Sequence, residues 1–372
     1  MMETKRAVLF VDDADGELIR KPLMLQSVLF CPVLTWLSTA LREQGVERFF
    51  VCCPASYQKE ARACFSLEEQ VTVSDSRADL LDFLEGEEET LVVPGAAVPV
   101  DSAGQNEVYI ASGSALAHSL KTGAEEVEGA RSVPGFTSLT TFKGLNSMQF
   151  LARAQILREL LAGGVYVMDP NNTYIDPRVR VGAGTVLLPG TILRGETVIG
   201  ADCQIGPNSM LTDCTVGDGA VINASQCEES VVEAGCEIGP YAHLRPHCAV
   251  GTQSKIGAFV QLKNCCLGRE TKMAHLTYVG DADVGEGCNF GCGTVTCNYD
   301  GREKHRTTIG SHVFVGCNTN LVAPVSVGDG AYTAAGSTIT RDVPAGDLGV
   351  ARAKQDNLAG WADKRRKAGR LK

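Results

Sequence analysis

Residues 181–210 read VGAGTVLLPGTILRGETVIGADCQIGPNSM, and residues 238–260 read IGPYAHLRPHCAVGTQSKIGAFV. Both repeat a six-residue phrase: an aliphatic residue, usually Gly, two variable residues, then a small one. The phrase runs from Ile175 to about Pro344 and returns as IGSHVF, VGCNTN, VGDGAY and TAAGST. A period of six fits neither an amphipathic helix nor an alternating strand, and hexads predict a left-handed parallel β-helix. Each hexad supplies a short strand and a corner, and three hexads make one coil of a triangular prism.

In that prism the leads Val181, Ile199, Ile205, Ile238, Leu244, Val250 and Ile256 point inward and stack about 4.8 Å apart, the strand spacing of a sheet. Gly182, Gly200, Gly206, Gly239 and Gly257 are expected at corners, where they allow backbone angles that a Cβ resists. The stack itself is the core.

Outside the repeat the pattern changes. RAVLFV, ERFFVCC, QVTVSD and TLVVPG read as strands, alternating with helices over PVLTWLSTALREQG, QKEARACF and ADLLDFLEG. Strands alternating with helices predict a parallel sheet in a Rossmann-like α/β domain. LNSMQFLARAQILRELLAGG then reads as a connecting helix with Leu145, Phe150, Ala154, Leu157 and Leu161 near one face. The expected division is an α/β domain over 1–144, a connecting helix over 145–164, the β-helix over 165–348 and a basic arm over 349–372.

The 372 residues carry a formal charge of -10, which argues against nucleic acid or an anionic membrane as partner. The N-terminal apolar run is too short for a signal peptide and no stretch reaches the roughly 18 apolar residues of a membrane helix, so a cytoplasmic protein is expected. Of the fifteen cysteines, Cys203, Cys236, Cys248, Cys266 and Cys288 fall in the small slot of a hexad and read as reduced, buried thiols. Cys248 and Cys266, one three-hexad coil apart in the same slot, are expected to stack. Cys288, Cys292 and Cys297 lack the paired spacing of a metal site, and no metal is expected there.

The segments MAHLTYVGDADVGEGCNFGCGTVTCNYDG and VFVGCNTNLVAPVSVGDGAYTAAGSTITRDVP resemble the C-terminal domain of the bifunctional bacterial enzymes of UDP-N-acetylglucosamine synthesis. Those enzymes join a glucosamine-1-phosphate acetyltransferase to an N-acetylglucosamine-1-phosphate uridylyltransferase. The likeness runs from about Leu145 to Arg352 and rests on HLTYxGD and TxTCNYDG, which are not general features of hexads.

Acetylating an amine from a thioester needs a base, cations for a sugar phosphate and donors for an oxyanion. His275 breaks the hexad rhythm in what reads as a polar loop and suits the base, the role the resemblance also gives it; a structural histidine is the plainer alternative. Arg245 and Lys263 hold the same hexad position one coil apart and would stack, as a phosphate seat or as a solvated basic edge. The resemblance implies that both, with Tyr278, Asn289 and Lys304, hold the sugar phosphate. From Thr296 to Thr308 the hexads stop, so TCNYDGREKHRT must leave the prism as a loop, where function concentrates. The resemblance places Asn298 and Tyr299 at an acetyl-CoA site with Cys292, Cys317, Ala335 and Arg352. The family usually carries Ala at Cys292 and Ser at Cys317.

KPLMLQSVLFCPVLTWLSTALREQGVERFFVCC is similar to the sugar nucleotidyltransferases, but the chain departs from them on either side. Where they place a glycine-rich, basic phosphate loop, this chain has Asp12, Asp13, Asp15 and Glu17 before Arg20 and Lys21. Where they place a magnesium-binding Asp, it has Ala96, and Asn146 alone matches the other ligand. Val100 to Lys143 is also short for a sugar-binding half. A degenerate domain that has lost uridylyl transfer is expected.

The leading expectation is therefore an acetyltransferase acting on glucosamine 1-phosphate with acetyl-CoA, in the route to UDP-N-acetylglucosamine and peptidoglycan. The resemblance implies a homotrimer and no metal for the acetyl step, with magnesium needed only if uridylyl transfer survives. An enzyme that keeps both activities, and a non-catalytic trimeric scaffold, are the alternatives. The basic arm KQDNLAGWADKRRKAGRLK could fold over a neighbouring subunit, clamp CoA or remain solvated.

Overall fold

A computed structural model describes residues 4–11, 21–100 and 105–372. The acids Asp12, Asp13, Asp15 and Glu17, with Arg20, lie outside the described residues. The chain divides into two compact units, Met1–Ala224 and Ser225–Lys372.

The first unit opens with β1 (Arg6–Phe10), α1 (Val33–Glu43), β2 (Arg48–Cys52), α2 (Gln58–Ala63), β3 (Gln70–Ser74), α3 (Arg77–Phe83) and β4 (Glu89–Val93). The four strands are parallel in the order β3-β2-β1-β4, as the alternation predicts. The sheet is nevertheless mixed: β5 (Tyr109–Ser112) runs antiparallel to β4, and β6 (Arg131–Ser132) antiparallel to β5. The chain returns from β4 without a crossover helix, and only such a crossover enforces parallel pairing.

Alternate residues of β1 serve opposite faces. Ala7 and Leu9 pack with Leu34, Leu37 and Leu41 of α1, while Val8 meets Leu80, Leu84 and Leu116 on α3 and on α4 (Gly113–Thr122). Arg6 is buried at the head of β1, where its guanidinium donates to the carbonyls of Phe83, at 2.8 Å, and Glu88, at 2.8 Å. These and Glu85 O at 3.2 Å are carbonyls at and beyond the C-terminal end of α3, which no later helical turn can satisfy.

The connecting helix is α5 (Phe142–Ala162). Its buried stripe is Leu145, Met148, Ala152 and Leu157, and Phe150, Ala154 and Leu161 are exposed, against the face expected. Phe150 and Ala154 lie about 140° and 180° around the helix from Leu145, whereas Met148 and Ala152 stay within about 60° of it; Leu157, about 120° around, is buried about one and a half turns further on.

Hexads follow in both units as a parallel β-helix of three walls. In the first unit Leu187 pairs with Ile205 and Leu193 with Leu211, all fully buried; Val181 is only half-buried. In the second, Ile238 pairs with Ile256 and Leu244 with Leu262, a full three hexads on, but Ile256 pairs with Met273 and Leu262 with Val279, one position short of that. The shorter coil moves the cysteine pairing: Cys248 stands beside Cys265, with Sγ atoms 3.9 Å apart, and Cys266 faces solvent.

The small slot has a specific use. Cys236, Ser254, Thr271 and Cys288, on successive coils, each donate to a carbonyl of the next coil, those of Gly251, Gly268, Gly285 and Gly310, at 3.0–3.2 Å. Thiol and hydroxyl are interchangeable there because each is a short donor that fits beneath the next coil. The lead glycines also differ from expectation. Gly206 and Gly239 have positive φ, but Gly182, Gly200 and Gly257 do not. They are held to glycine by close approach: a Cβ at Gly257 would lie 2.1 Å from the Ala274 carbonyl oxygen. Left-handed corners fall instead on residues such as Asn264, Leu276, Asp281 and Asn318.

No described helix is long and apolar enough to cross a membrane. The terminal arm carries a short helix, α6 (Trp361–Lys367), and is exposed from Val350 onward.

Candidate functional site

The second unit carries the chosen residues on two edges of its prism. The first edge lies between the two segments of β7 (Gln261–Leu267), at Asn264. Because Leu244 pairs with Leu262, Arg245 and Lys263 are adjacent, with the Arg245 N–H donating to Leu262 O at 2.9 Å. Lys263 stands opposite Gly280 on β8 (Tyr278–Val284). Its side chain also meets Lys304, which is carried on the interrupting loop. That contact first, then desolvation and the nearby Arg245, hold the Lys263 ammonium below the usual lysine value. Three cations crowded on one edge form a site that an anion would relieve.

Beneath them lies Asp281, a residue that the sequence reading did not single out. It is buried and accepts the Asn264 amide at 2.6 Å and the Asn298 amide. Desolvation pushes its carboxyl up, but the two amides and the charges of Lys263 and Lys304 together outweigh it, leaving the group below the usual carboxylate range. Asn298 is buried too, and its Nδ2 also lies 3.4 Å from the Tyr278 hydroxyl. Gly280 leaves room for this pair, since a Cβ there would lie 2.3 Å from the Tyr278 oxygen and 3.0 Å from Asn298 Nδ2.

The interrupting loop leaves Val295–Cys297 and rejoins at Thr307–Ile309. Tyr299 bridges to Lys304 across it, and Asp300 accepts N–H groups from Arg302 and Glu303 and the ring of His305 at 2.8 Å. At its neck Arg306 pairs with Asp283. The loop is thus a braced arm that presents Tyr299 to solvent.

The second edge carries the proton-acceptor candidate. His275 ends the strand Lys272–His275, so it is on a strand terminus and not in a loop as expected. Its register partner is Ala258, its side chain is exposed, and its carbonyl accepts the Thr277 hydroxyl at 2.8 Å. From this corner backbone bonds climb coil by coil: Gly293 N to Leu276 O, Asn318 N to Cys292 O, Gly336 N to Cys317 O, each 2.7–3.0 Å. Cys292, Cys317 and Ala335 therefore form a file that starts beside His275. Arg352 continues it, its Cδ 3.9 Å from where a Cβ on Gly336 would stand.

Asn289 joins neither cluster. It is exposed on a wall, between Lys272 and Phe314 in register. Within one chain the structure thus brings Arg245, Lys263, Lys304, Tyr278 and Asn298 to one edge, and His275, Cys292, Cys317, Ala335 and Arg352 to another.

The model of the bacterial transferase hexapeptide family (six repeats) matches residues 196–225 and 306–341. The bifunctional protein GlmU of Caldanaerobacter subterraneus subsp. tengcongensis is 50% identical over 227 residues, 61% of this chain and 50% of that one. GlmU of Thermoanaerobacter pseudethanolicus is 47% identical over 245 residues, 65% of this chain and 54% of that one. For GlmU of Brevibacillus brevis the figures are 43% over 272 residues, 72% and 58%. The chain spans about half the length of the curated relatives it matches.

Coils of this kind, edged by a file of small residues and a cationic corner, are similar to those of the bacterial transferase hexapeptide family over the residues matched. Over the stretch they share, the chain is similar to the bifunctional GlmU proteins at 43–50% identity.

Proposed function

We propose that this chain transfers acetyl from acetyl-CoA to the amine of glucosamine 1-phosphate, giving N-acetylglucosamine 1-phosphate in the cytoplasm. The observation that carries the reading is the file Cys292–Cys317–Ala335–Arg352 starting at His275, with a three-cation edge in the same unit. In this reading acetyl-CoA lies along the file with its thioester at His275 and its phosphates toward Arg352. Arg245, Lys263 and Lys304 take the sugar phosphate, assisted by Tyr278 of the same edge and by Asn289 of a second copy, and Tyr299 lies against the cofactor.

The chemistry needs one base and no covalent intermediate. His275 takes a proton from the amine as its nitrogen attacks the thioester carbonyl carbon. The C–S bond breaks, the CoA thiolate leaves and is protonated, and the amide remains on the sugar. Because the two edges are separate in one chain, we infer that a second copy completes each site, as in the homotrimer that the family resemblance implies. Magnesium has no role in this step.

For the N-terminal domain we propose loss of uridylyl transfer. Ala96 occupies the position expected of a metal-binding carboxylate, and it is buried with its carbonyl accepting Leu139 N at 2.7 Å.

The test follows CoA release from acetyl-CoA and glucosamine 1-phosphate by the wild type and by His275→Ala, then pyrophosphate release on adding UTP, magnesium and N-acetylglucosamine 1-phosphate. Release of CoA that falls by about 100-fold or more in the variant supports the reading. No release from folded wild type overturns it, and pyrophosphate overturns the loss of uridylyl transfer.

A further inference from the structure

Asp281 is a buried carboxylate beneath the cationic edge, and its two amide partners come from the coils below and above. Asn264 and Asn298 each lie 17 residues from it, so the three form one column through successive corners. A carboxylate only accepts hydrogen bonds, so the face of Asn298 turned toward Asp281 must be its NH2. The second amide hydrogen has the Tyr278 hydroxyl at 3.4 Å. Both donors of Asn298 are therefore directed into the protein. Its Oδ1 makes no hydrogen bond among the described residues and is not among the buried atoms left without one, so it reaches solvent.

We propose that Asp281 is a positioning residue: it fixes the Asn298 amide with its carbonyl oxygen outward, as an acceptor for an N–H of the attacking amine. The inference rests on the acetyl-transfer reading above and adds a polarity to it. With its hydrogens committed, Asn298 cannot donate to the oxyanion of the tetrahedral intermediate. It instead holds the amine through one N–H and aims the nitrogen lone pair at the thioester carbon, while a second hydrogen leaves to the base. Such aiming acts on the reaction step more than on affinity. A neutral residue at 281 would let the amide turn over, because an amide can offer either face to another amide.

The substitution that tests this is Asp281→Asn. The backbone at 281 is left-handed, with φ 50°, a conformation that Asn tolerates as readily as Asp, and the two side chains share one shape. The experiment measures kcat and KM for both substrates in wild type, Asp281→Asn, Asn298→Ala and the double variant, with the thermal midpoint of each.

The expected result is a kcat for Asp281→Asn lower by about 10- to 100-fold, with KM for acetyl-CoA unchanged. The double variant is expected to be no slower than Asn298→Ala, because Asp281 acts through Asn298. A purely structural role would instead lower the midpoint and multiply the two losses. Either additive losses or an undiminished kcat in Asp281→Asn, with an active wild type, overturns the inference and leaves the acetyl-transfer reading standing. A wild type that releases no CoA overturns both.

Discussion

Arg306 closes the neck of the interrupting loop by pairing with Asp283 on the neighbouring coil, while its guanidinium also reaches the carbonyls of Asn264 and Ala282 at 3.3 Å. The loop that carries Asn298, Tyr299 and Lys304 is thereby tied to the prism at its far end. Arg306→Ala should raise KM for the sugar phosphate several-fold through Lys304 while costing at most about 1 kcal/mol of stability, since the pair is half exposed. Steady-state kinetics beside urea unfolding would check this. A large stability loss with an unchanged KM would make the pair structural.

The same pair sets an acid dependence. Hydrogen bonding from Arg306 holds the Asp283 carboxyl below the usual value, opposed by partial desolvation. A depressed folded pKa contributes stability that is fully present above the unfolded value of about 3.9 and is lost as pH falls through the folded value. Wild type should therefore exceed Asp283→Asn in stability at pH 6, and the gap should shrink as pH falls from about 3.9 through the lower folded value. Urea midpoints across that range decide it, and a gap that persists in acid would refute the linkage.

Gly280 is the position where the site and the scaffold make opposite demands. A methyl there meets the ends of Tyr278 and Asn298, and Asn298 can yield only by drawing away from Asp281. Gly280→Ala should cost about 1–3 kcal/mol of stability, leave the variant folded, and lower kcat by about 10-fold or more. Wild-type kinetics in a folded variant would show that the clearance has no catalytic use.

Thiol chemistry offers a map of the file. Cys266 and Cys317 are the exposed cysteines, whereas Cys31 is buried, with its thiol pushed up to about 12 chiefly by desolvation. Under native conditions an aromatic disulfide reagent should label Cys266 and Cys317 first and leave Cys31 untouched. Acetyl-CoA should slow labelling at Cys317 and not at Cys266, as peptide mass mapping would show. Equal rates with and without cofactor would remove the file from the cofactor site.

In the N-terminal domain Arg6 is the residue to remove. Arg6→Met keeps most of the apolar stem but strands the carbonyls of Phe83 and Glu88, so the unfolding free energy should fall by roughly 2–5 kcal/mol. Buried Trp36 reports on this domain, and its emission followed through a urea titration gives the midpoint. A change no larger than about 0.5 kcal/mol, the scatter of ordinary surface substitutions, would mean that solvent reaches those carbonyls.

How far the sequence could be read follows from what each pattern encodes. The leads Ile199, Ile205, Leu244 and Ile256 announced the prism because burial alone selects them. The cationic neighbours Arg245 and Lys263 were legible because their coil holds three complete hexads. The column Asn264–Asp281–Asn298 was not, because its coils fall one position short and a constant three-hexad period misaligns it. The same shortening puts Cys265, and not Cys266, beside Cys248. On α5, Phe150 and Leu161 were grouped by hydrophobicity, and the helical angle overruled it. The antiparallel β5 left no trace, since strand direction depends on a connection and not on composition.

The coil that carries the interrupting loop runs from Phe290 to Val315 before it stacks on itself, far longer than the coils beside it, from Ile256 to Met273 and from Met273 to Phe290. Register nonetheless resumes on the next wall, because all the excess is expelled at one corner. A wall that gained a single residue would turn its apolar side outward, so heritable changes of length are filtered to the corners. Such a scaffold separates what must stay constant from what can vary: the interior is copied coil after coil, and new recognition can be inserted between two walls without renegotiating the core.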